Sequence, residues 1–266
     1  MTTEQKPRTA EINARLWGAR AHDWAEIQEG ACRPAYLSAF DRADLKPEAT
    51  YLDAGCGAGM AAQIAAERGA HVTGLDAAPD LLEIARGRVP NGDFRLGELE
   101  SLPFPDRKFD LVTGFNSFQY AGNPGVAVGE AKRVAKTGAH VLIMTWGQPD
   151  GMEAASVVAA LRPLLPPPPP GAPGPFALSD EAALRAFAAA AGLEPLSVFD
   201  VDSPWRYPNL SVALRGLGSS GVAARAIENS NEDAVNKAHT AALMPFRQSD
   251  GSYRIGASFR CLLARA

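Results

Sequence analysis

The chain has 266 residues, 46% of them hydrophobic and 21% charged, a composition that belongs to a folded globular protein and excludes wholesale disorder. Thirty acidic against 26 basic residues leave a formal charge of −4, which supplies no footprint for a phosphate backbone and excludes nucleic acid as a partner on that ground. Three cysteines, Cys32, Cys56 and Cys261, are odd in number and far apart, which speaks against a disulfide framework and for a reducing compartment.

The N-terminal stretch MTTEQKPRTAEINARLWGAR has no apolar h-region and carries two glutamates, so neither a signal nor a transit peptide fits. The charge-free stretch 111–129 is interrupted by glycines, a proline and polar amides, which hydrocarbon would not accept, so no membrane span is expected. A cytoplasmic location follows by elimination. Apolar Ile12, Leu16 and Ile27 on a charged background predict a helix over 9–29, broken at Arg33-Pro34, with a second over 36–45 ending before Pro47.

From there short strands (50–53, 71–76, 93–96, 109–113 and 140–146) alternate with helices at 61–68, 79–88 and 124–135. This rhythm predicts βαβ units and a parallel sheet buried on both faces. After Gly147 a helix is expected at 152–161. Eight of the 21 prolines then lie between Pro163 and Pro175 and read as a linker. Ser179-Asp180 caps a helix over 181–191 closed by Gly192. Residues 196–201 alternate like a strand, 210–228 are helical in spite of their glycines, 232–243 form another helix, and 253–263 read as a last strand after the Asp250-Gly251 turn. Two late strands without a parallel crossover suggest an antiparallel pair at one edge of the sheet.

The segment Tyr51-Leu-Asp-Ala-Gly-Cys-Gly-Ala-Gly-Met60 carries the chemistry. Gly55, Gly57 and Gly59 offer bare backbone to a ligand, and the helix start behind them favours an anion. Gly57 to Ala62 formally satisfies the dinucleotide pattern G-x-G-x-x-A, which keeps a nucleotide-binding oxidoreductase in view. Asp53 at the strand end argues the other way, because it would repel a diphosphate and welcome a cationic group. Asp76, closing the second strand, can accept both hydroxyls of a ribose, or else serve as the N-cap ahead of Pro79.

With Gly97-Glu98-Leu99-Glu100-Ser101-Leu102-Pro103-Phe104-Pro105-Asp106 and Lys108-Phe109-Asp110-Leu111-Val112 added, residues 50–147 resemble a class I S-adenosylmethionine-dependent methyltransferase of the type 11, ubiquinone-biosynthesis-like small-molecule branch. The resemblance implies an α/β fold: a doubly wound Rossmann-like seven-stranded sheet, mostly parallel with an antiparallel C-terminal edge hairpin, and helices on both faces. It further implies an N-terminal helical lid at 1–46, a cofactor-binding core at 47–147, and a part at 148–266 that completes the sheet and lays a helical insertion over the substrate site.

The implied cofactor is S-adenosyl-L-methionine. Asp53, Ala54, Gly55, Cys56, Gly57 and Gly59 would face its amino-acid part, and Asp76 its ribose. Ala77 would pack on the adenine, Glu98 (where the family usually has Asp) would accept from the adenine amino group, and Leu99 would offer its backbone N–H. Asn116 and Ser117 would touch the methionine moiety. Trp24 would close over the cofactor, unless Trp17 and Trp24 simply form one packing face of a helix. Phe118, Tyr120, Trp146, Trp205 and Tyr207 are candidate walls of a substrate pocket or members of the core.

No general base is named by the sequence. Tyr120 stands where many relatives carry a histidine. His71 and His140 sit at strand starts and read as structural, which leaves His22, Tyr120 and His239 as the catalytic candidates. No ligand spacing suggests a metal. The Asn-Pro-Pro-Tyr box of amine-directed nucleic-acid methyltransferases is missing after the fourth strand, so the expected partner is a small, largely apolar molecule, with the protein a monomer or homodimer. A cofactor-holding protein without methyl transfer is the rival reading of a site that lacks an evident base.

Overall fold

A computed structural model describes residues 9–167 and 174–266. Part of the expected proline linker (168–173) and the first eight residues of the expected lid lie outside these. Seven strands form the main sheet in the order β3-β2-β1-β4-β5-β9-β6. They are β1 (Thr50–Ala54), β2 (His71–Asp76), β3 (Asp93–Leu96), β4 (Phe109–Phe115), β5 (Ala135–Trp146), β6 (Glu194–Asp202) and β9 (Ser258–Arg265). The first five pair in parallel, and β9 runs antiparallel to both β5 and β6. The two late strands pair antiparallel at the edge as expected, joined through residues 203–257 and not by a tight turn.

The pleat divides the core into two layers. Tyr51, Leu111, Phe115, Leu142 and Met144 face α3 (Arg33–Arg42), α4 (Met60–Glu67) and α5 (Pro79–Arg88). Leu52, Val112, Val141, Ile143 and Leu262 face α6 (Pro124–Val134) and α8 (Glu181–Ala190). The strands are apolar nearly throughout because both faces are covered; each fully buried Leu, Ile or Phe contributes about 1.5–3 kcal/mol. Among the described residues, no helix is long and apolar enough to cross a membrane.

Several boundaries depart from the sequence expectation. The N-terminal helix stops at Gly18 as α1 (Thr9–Gly18) and resumes as the single turn α2 (Ala21–Asp23), a π-helical turn over Trp24–Gln28 and a 3-10 turn over Glu29–Cys32. The chain does not break at Arg33-Pro34: α3 starts there, and Pro34 costs nothing in a first turn whose N–H groups have no intrahelical partner. The expected last strand splits. Tyr253–Ile255 (β8) pairs antiparallel with Trp205–Tyr207 (β7) in a small separate sheet, and β9 starts after Gly256-Ala257.

Residues 210–228 form two helices, α9 (Leu210–Gly218) and α10 (Gly221–Asn229), because Ser220 caps the second through the Ala223 N–H at 3.2 Å. α7 (Glu153–Ala159) and α11 (Glu232–Leu243) complete the set. The glycines of α9 and α10 have a packing reason. A Cβ on Gly216 would meet Ile27 at 2.7 Å and one on Gly221 would meet Trp17 at 2.6 Å, so these helices need bare backbone where the N-terminal segment lies on them.

Candidate functional site

The strand order reverses between β1 and β4, the topological switch point at which open α/β sheets bind ligands beyond their carboxyl ends. A crevice open at its mouth lies there. Its floor is the glycine loop. Gly55, Gly57 and Gly59 all have positive φ, and a Cβ on Gly55 would come within 2.4 Å of the Ser117 Cβ, so the loop and the end of β4 can meet only with glycine at 55. Asn116, also at positive φ (54°), turns the chain out of β4; its side chain accepts from the Gln119 amide.

Three carboxylates surround this loop. The half-buried Asp76 accepts the Gly57 N–H and the Ala78 N–H, each at 2.9 Å. Asp53 is 1% exposed, and its Oδ1 accepts from the Thr113 hydroxyl at 3.0 Å, which in turn takes the Tyr51 hydroxyl at 2.7 Å. Glu29, 2% exposed, accepts the Met60 N–H at 3.2 Å and pairs with Arg88. Burial raises all three above the usual carboxylate range. For Asp53 the level reached is about 7, with Thr113 pulling down and the charges of Glu29 and Asp76 adding to the rise. The backbone N–H groups of Ala78, Gly57 and Ala77 counter the rise at Asp76, and Arg88 with the Met60 N–H counters it at Glu29.

The walls contain much of what the sequence proposed. Gly55, Gly57, Asp76, Ala77, Glu98, Leu99, Asn116, Ser117, Trp24 and Tyr120 all line the crevice. Asp53, Ala54, Cys56 and Gly59 are not among its lining residues and lie behind it. The reason is the strand pleat and the turn. Asp53, Ala54 and Cys56 point into buried layers, and Gly59 packs against Ala85, which a Cβ there would meet at 2.8 Å. The N-terminal segment supplies further walls that the sequence did not name: Asn13 of α1, whose amide donates to the Tyr120 carbonyl at 2.9 Å, and Cys32 and Tyr36. Trp17 packs edge-on against both Trp24 (5.0 Å) and Tyr120 (5.5 Å), so one tryptophan face serves the packing and the wall at once.

Most of the expected substrate-pocket aromatics are core. Phe118 is 1% exposed and fills the space left by Gly114, where a Cβ would lie 2.1 Å from its ring. Trp146 stacks on Phe259 at 5.1 Å and meets Trp205 at 5.9 Å. The Tyr207 hydroxyl donates to the buried Gln28 at 2.7 Å. None of these four lines the crevice.

The histidines are equally remote. His22 borders a surface hollow with Asp80 and Glu83, and His239 is buried in α11 with no hydrogen-bond partner for Nδ1. His71 pairs with Glu48 at 3.0 Å, and the His140 Nδ1 lies 3.3 Å from the Ala43 carbonyl. Tyr120 alone of the catalytic candidates reaches the crevice, and burial pushes its phenol up to about 12. Among the described residues, no three His, Cys, Asp or Glu side chains gather to hold a metal ion.

Glu29 and Arg88 went unnoticed in the sequence because nothing about their spacing (59 residues apart) marks them as partners; only the packing of the N-terminal segment on α5 brings them together.

Comparison with known proteins gives the fold its relatives. A family model described as a methyltransferase domain matches residues 52–143. A malonyl-[acyl-carrier protein] O-methyltransferase of Erwinia billingiae is 32% identical over 170 residues, 64% of this chain and 63% of that one. The chain spans between about a third and just under two thirds of the length of the first curated relatives it matches. A solved structure of a [4+2]-cyclase, SpnF, is 21% identical with a TM-score of 0.61, covering 97% of each chain. A Bacillus halodurans protein described as a candidate methyltransferase is 18% identical with a TM-score of 0.58, covering 86% of this chain and 97% of its own. The sheet order and the glycine loop agree with the match of residues 52–143 to the methyltransferase-domain model.

Proposed function

We propose that this chain is an S-adenosylmethionine-dependent methyltransferase that transfers a methyl group to a small organic acceptor by in-line displacement. The observation that carries the reading is Glu29 at the start of α4. Its carboxylate takes the Met60 N–H, the place a diphosphate would claim in a dinucleotide enzyme. A diphosphate would find that amide already taken by Glu29, itself paired with Arg88, and would lie beside Asp53 and Asp76, whereas a ligand of net positive charge favours the ionised form of those two carboxyls.

The residues fit the cofactor. Asp76 keeps a lone pair on each oxygen beyond the two backbone amides it already accepts, enough for two ribose hydroxyls. Glu98, Leu99 and Ala77 would hold the adenine, and Gly55, Gly57, Asn116 and Ser117 the methionine end. Asp53 would act from behind the loop, through the field of its buried carboxyl. When bound, the cofactor supplies a methyl group already activated by a sulfonium with a neutral leaving group. The protein's task is then to hold a nucleophile in line and keep water out. Trp17, Trp24, Tyr36, Phe115 and Tyr120 do the excluding, and their ring faces tolerate a cation.

Burial pushes the thiol of Cys32 and the Tyr120 phenol up to about 12 and raises the Tyr36 phenol well above its ordinary value, so all three stay protonated near neutral pH and take no proton there. The acceptor therefore brings its own free lone pair. The same feature favours a second reading, a protein that holds the cofactor without transferring its methyl group. Among the described residues no histidine lines the crevice to serve as a base.

Titration calorimetry with S-adenosylhomocysteine and with NADH separates these. The proposal expects the first to bind, the second not, and Asp76→Ala to weaken binding by about tenfold or more. Binding of NADH alone, or homocysteine-nucleoside binding that survives Asp76→Ala unchanged, would overturn it. Binding without any methylated product across a broad acceptor panel would favour the second reading.

A further inference from the structure

Glu29 is a buried charge and Arg88 its partly buried partner, both outside the crevice wall, and no step above uses them as reacting groups. Arg88 closes α5 and donates in three directions: to Glu29, to the Ala58 carbonyl at 2.9 Å, and to the Ala25 carbonyl at 2.8 Å. Ala58 belongs to the glycine loop and Ala25 to the π-helical turn that carries Trp24 into the crevice. Glu29 reaches from the N-terminal segment to the Met60 N–H, the first amide of α4, and its Oε1 would lie 3.8 Å from a Cβ on Gly57. One ion pair therefore ties the far end of the loop to the segment above it, while Asp76 holds its middle through Gly57. With both points held, the loop's bare backbone is fixed where the ligand approaches.

We propose that Glu29 and Arg88 are positioning residues that couple the N-terminal segment to the glycine loop, so that the loop takes its ligand-binding shape only when the segment carrying Trp24 is seated. The inference rests on the methyltransferase reading for the identity of the ligand. The physical reason for a charged pair is direction. Glu29 presents acceptors to an amide and a guanidinium, and Arg88 presents a planar fork to two carbonyls and a carboxylate, which an apolar pair of equal volume could not do. An apolar replacement is often neutral or favourable for stability, so stability and positioning respond differently to it.

The test compares wild type, Glu29→Gln, Arg88→Met and the double variant Glu29→Leu/Arg88→Met by thermal unfolding and by calorimetry with S-adenosylhomocysteine. Each single variant is expected to bind about tenfold or more weakly, since loop contacts lose their fixed geometry. In the double variant the melting temperature is expected to return toward the wild-type value, because no charge is left buried alone, while the binding loss stays. Single variants that bind as wild type does, or a double variant whose affinity recovers together with its melting temperature, would overturn the proposal. A wild-type protein that fails to bind the homocysteine nucleoside at all sinks the functional reading. A wild-type protein that binds, with variants that match it, sinks only the coupling.

Discussion

Replacing Asp53 by Asn should stabilise the protein in alkaline solution and leave it nearly unchanged in acid. The side chain is 1% exposed, and burial lifts its carboxyl from 3.8 to about 7 in the folded state. A raised carboxyl means that the folded protein binds more protons than the unfolded chain between these two values. Its contribution to stability is therefore fully present below about pH 4 and lost as pH rises to about 7. A difference of about three pKa units corresponds to about 4 kcal/mol.

Asn keeps an oxygen for the Thr113 hydroxyl and cannot ionise, so the relay from Tyr51 through Thr113 survives. Denaturant midpoints for wild type and Asp53→Asn, measured from about pH 5 to about pH 8, should diverge by a few kcal/mol in favour of the variant, most of it below pH 7. Parallel curves would refute the reasoning, because they would mean that Asp53 is ionised in the fold without penalty. The carboxylate's retention at such a cost then has a functional explanation, the attraction of a cationic ligand, and the variant is expected to bind S-adenosylmethionine more weakly in spite of its greater stability.

Gly55→Ala should lower stability by about 2–5 kcal/mol, combining about 1–2 for a left-handed alanine with about 1–3 for overpacking against Ser117. Adding Ser117→Gly should recover part of the overpacking share in a double-mutant cycle, and no recovery would exclude the contact as the cause. His239, lowered by burial from 6.5 to about 4, binds fewer protons when folded, so its stabilising share is present above about pH 6.5 and lost toward pH 4, a change of about 3 kcal/mol. His239→Leu should flatten acid unfolding over that range, as read by circular dichroism against pH. Tyr120→Phe should leave any pH–rate profile unshifted between about pH 6 and pH 9, since the phenol is pushed up to about 12 and does not titrate there.

The amino-acid order alone determined the parallel sheet and the loop at its switch point. Apolar strands of four to seven residues spaced by helices admit little else, and alternate glycines between an acid and a helix start announce a close backbone approach. Asp76, Ala77, Glu98, Leu99, Asn116 and Ser117 reach the crevice because each closes or follows a strand that the sheet brings to one edge. Tertiary packing decided the rest. Whether Trp146, Trp205, Tyr207 and Phe118 are wall or core depends on neighbours such as Phe259, Gln28 and Gly114, distant in sequence or carrying no side chain. The same holds for the start of α3 at Pro34 and for the splitting of the last strand at Gly256, where local propensity allowed several answers and long-range contacts chose one. Glu29 and Arg88 are the clearest case. A pair 59 residues apart has no local signature, and its chemistry exists only once the N-terminal segment folds back onto the fifth helix and brings the two charges together.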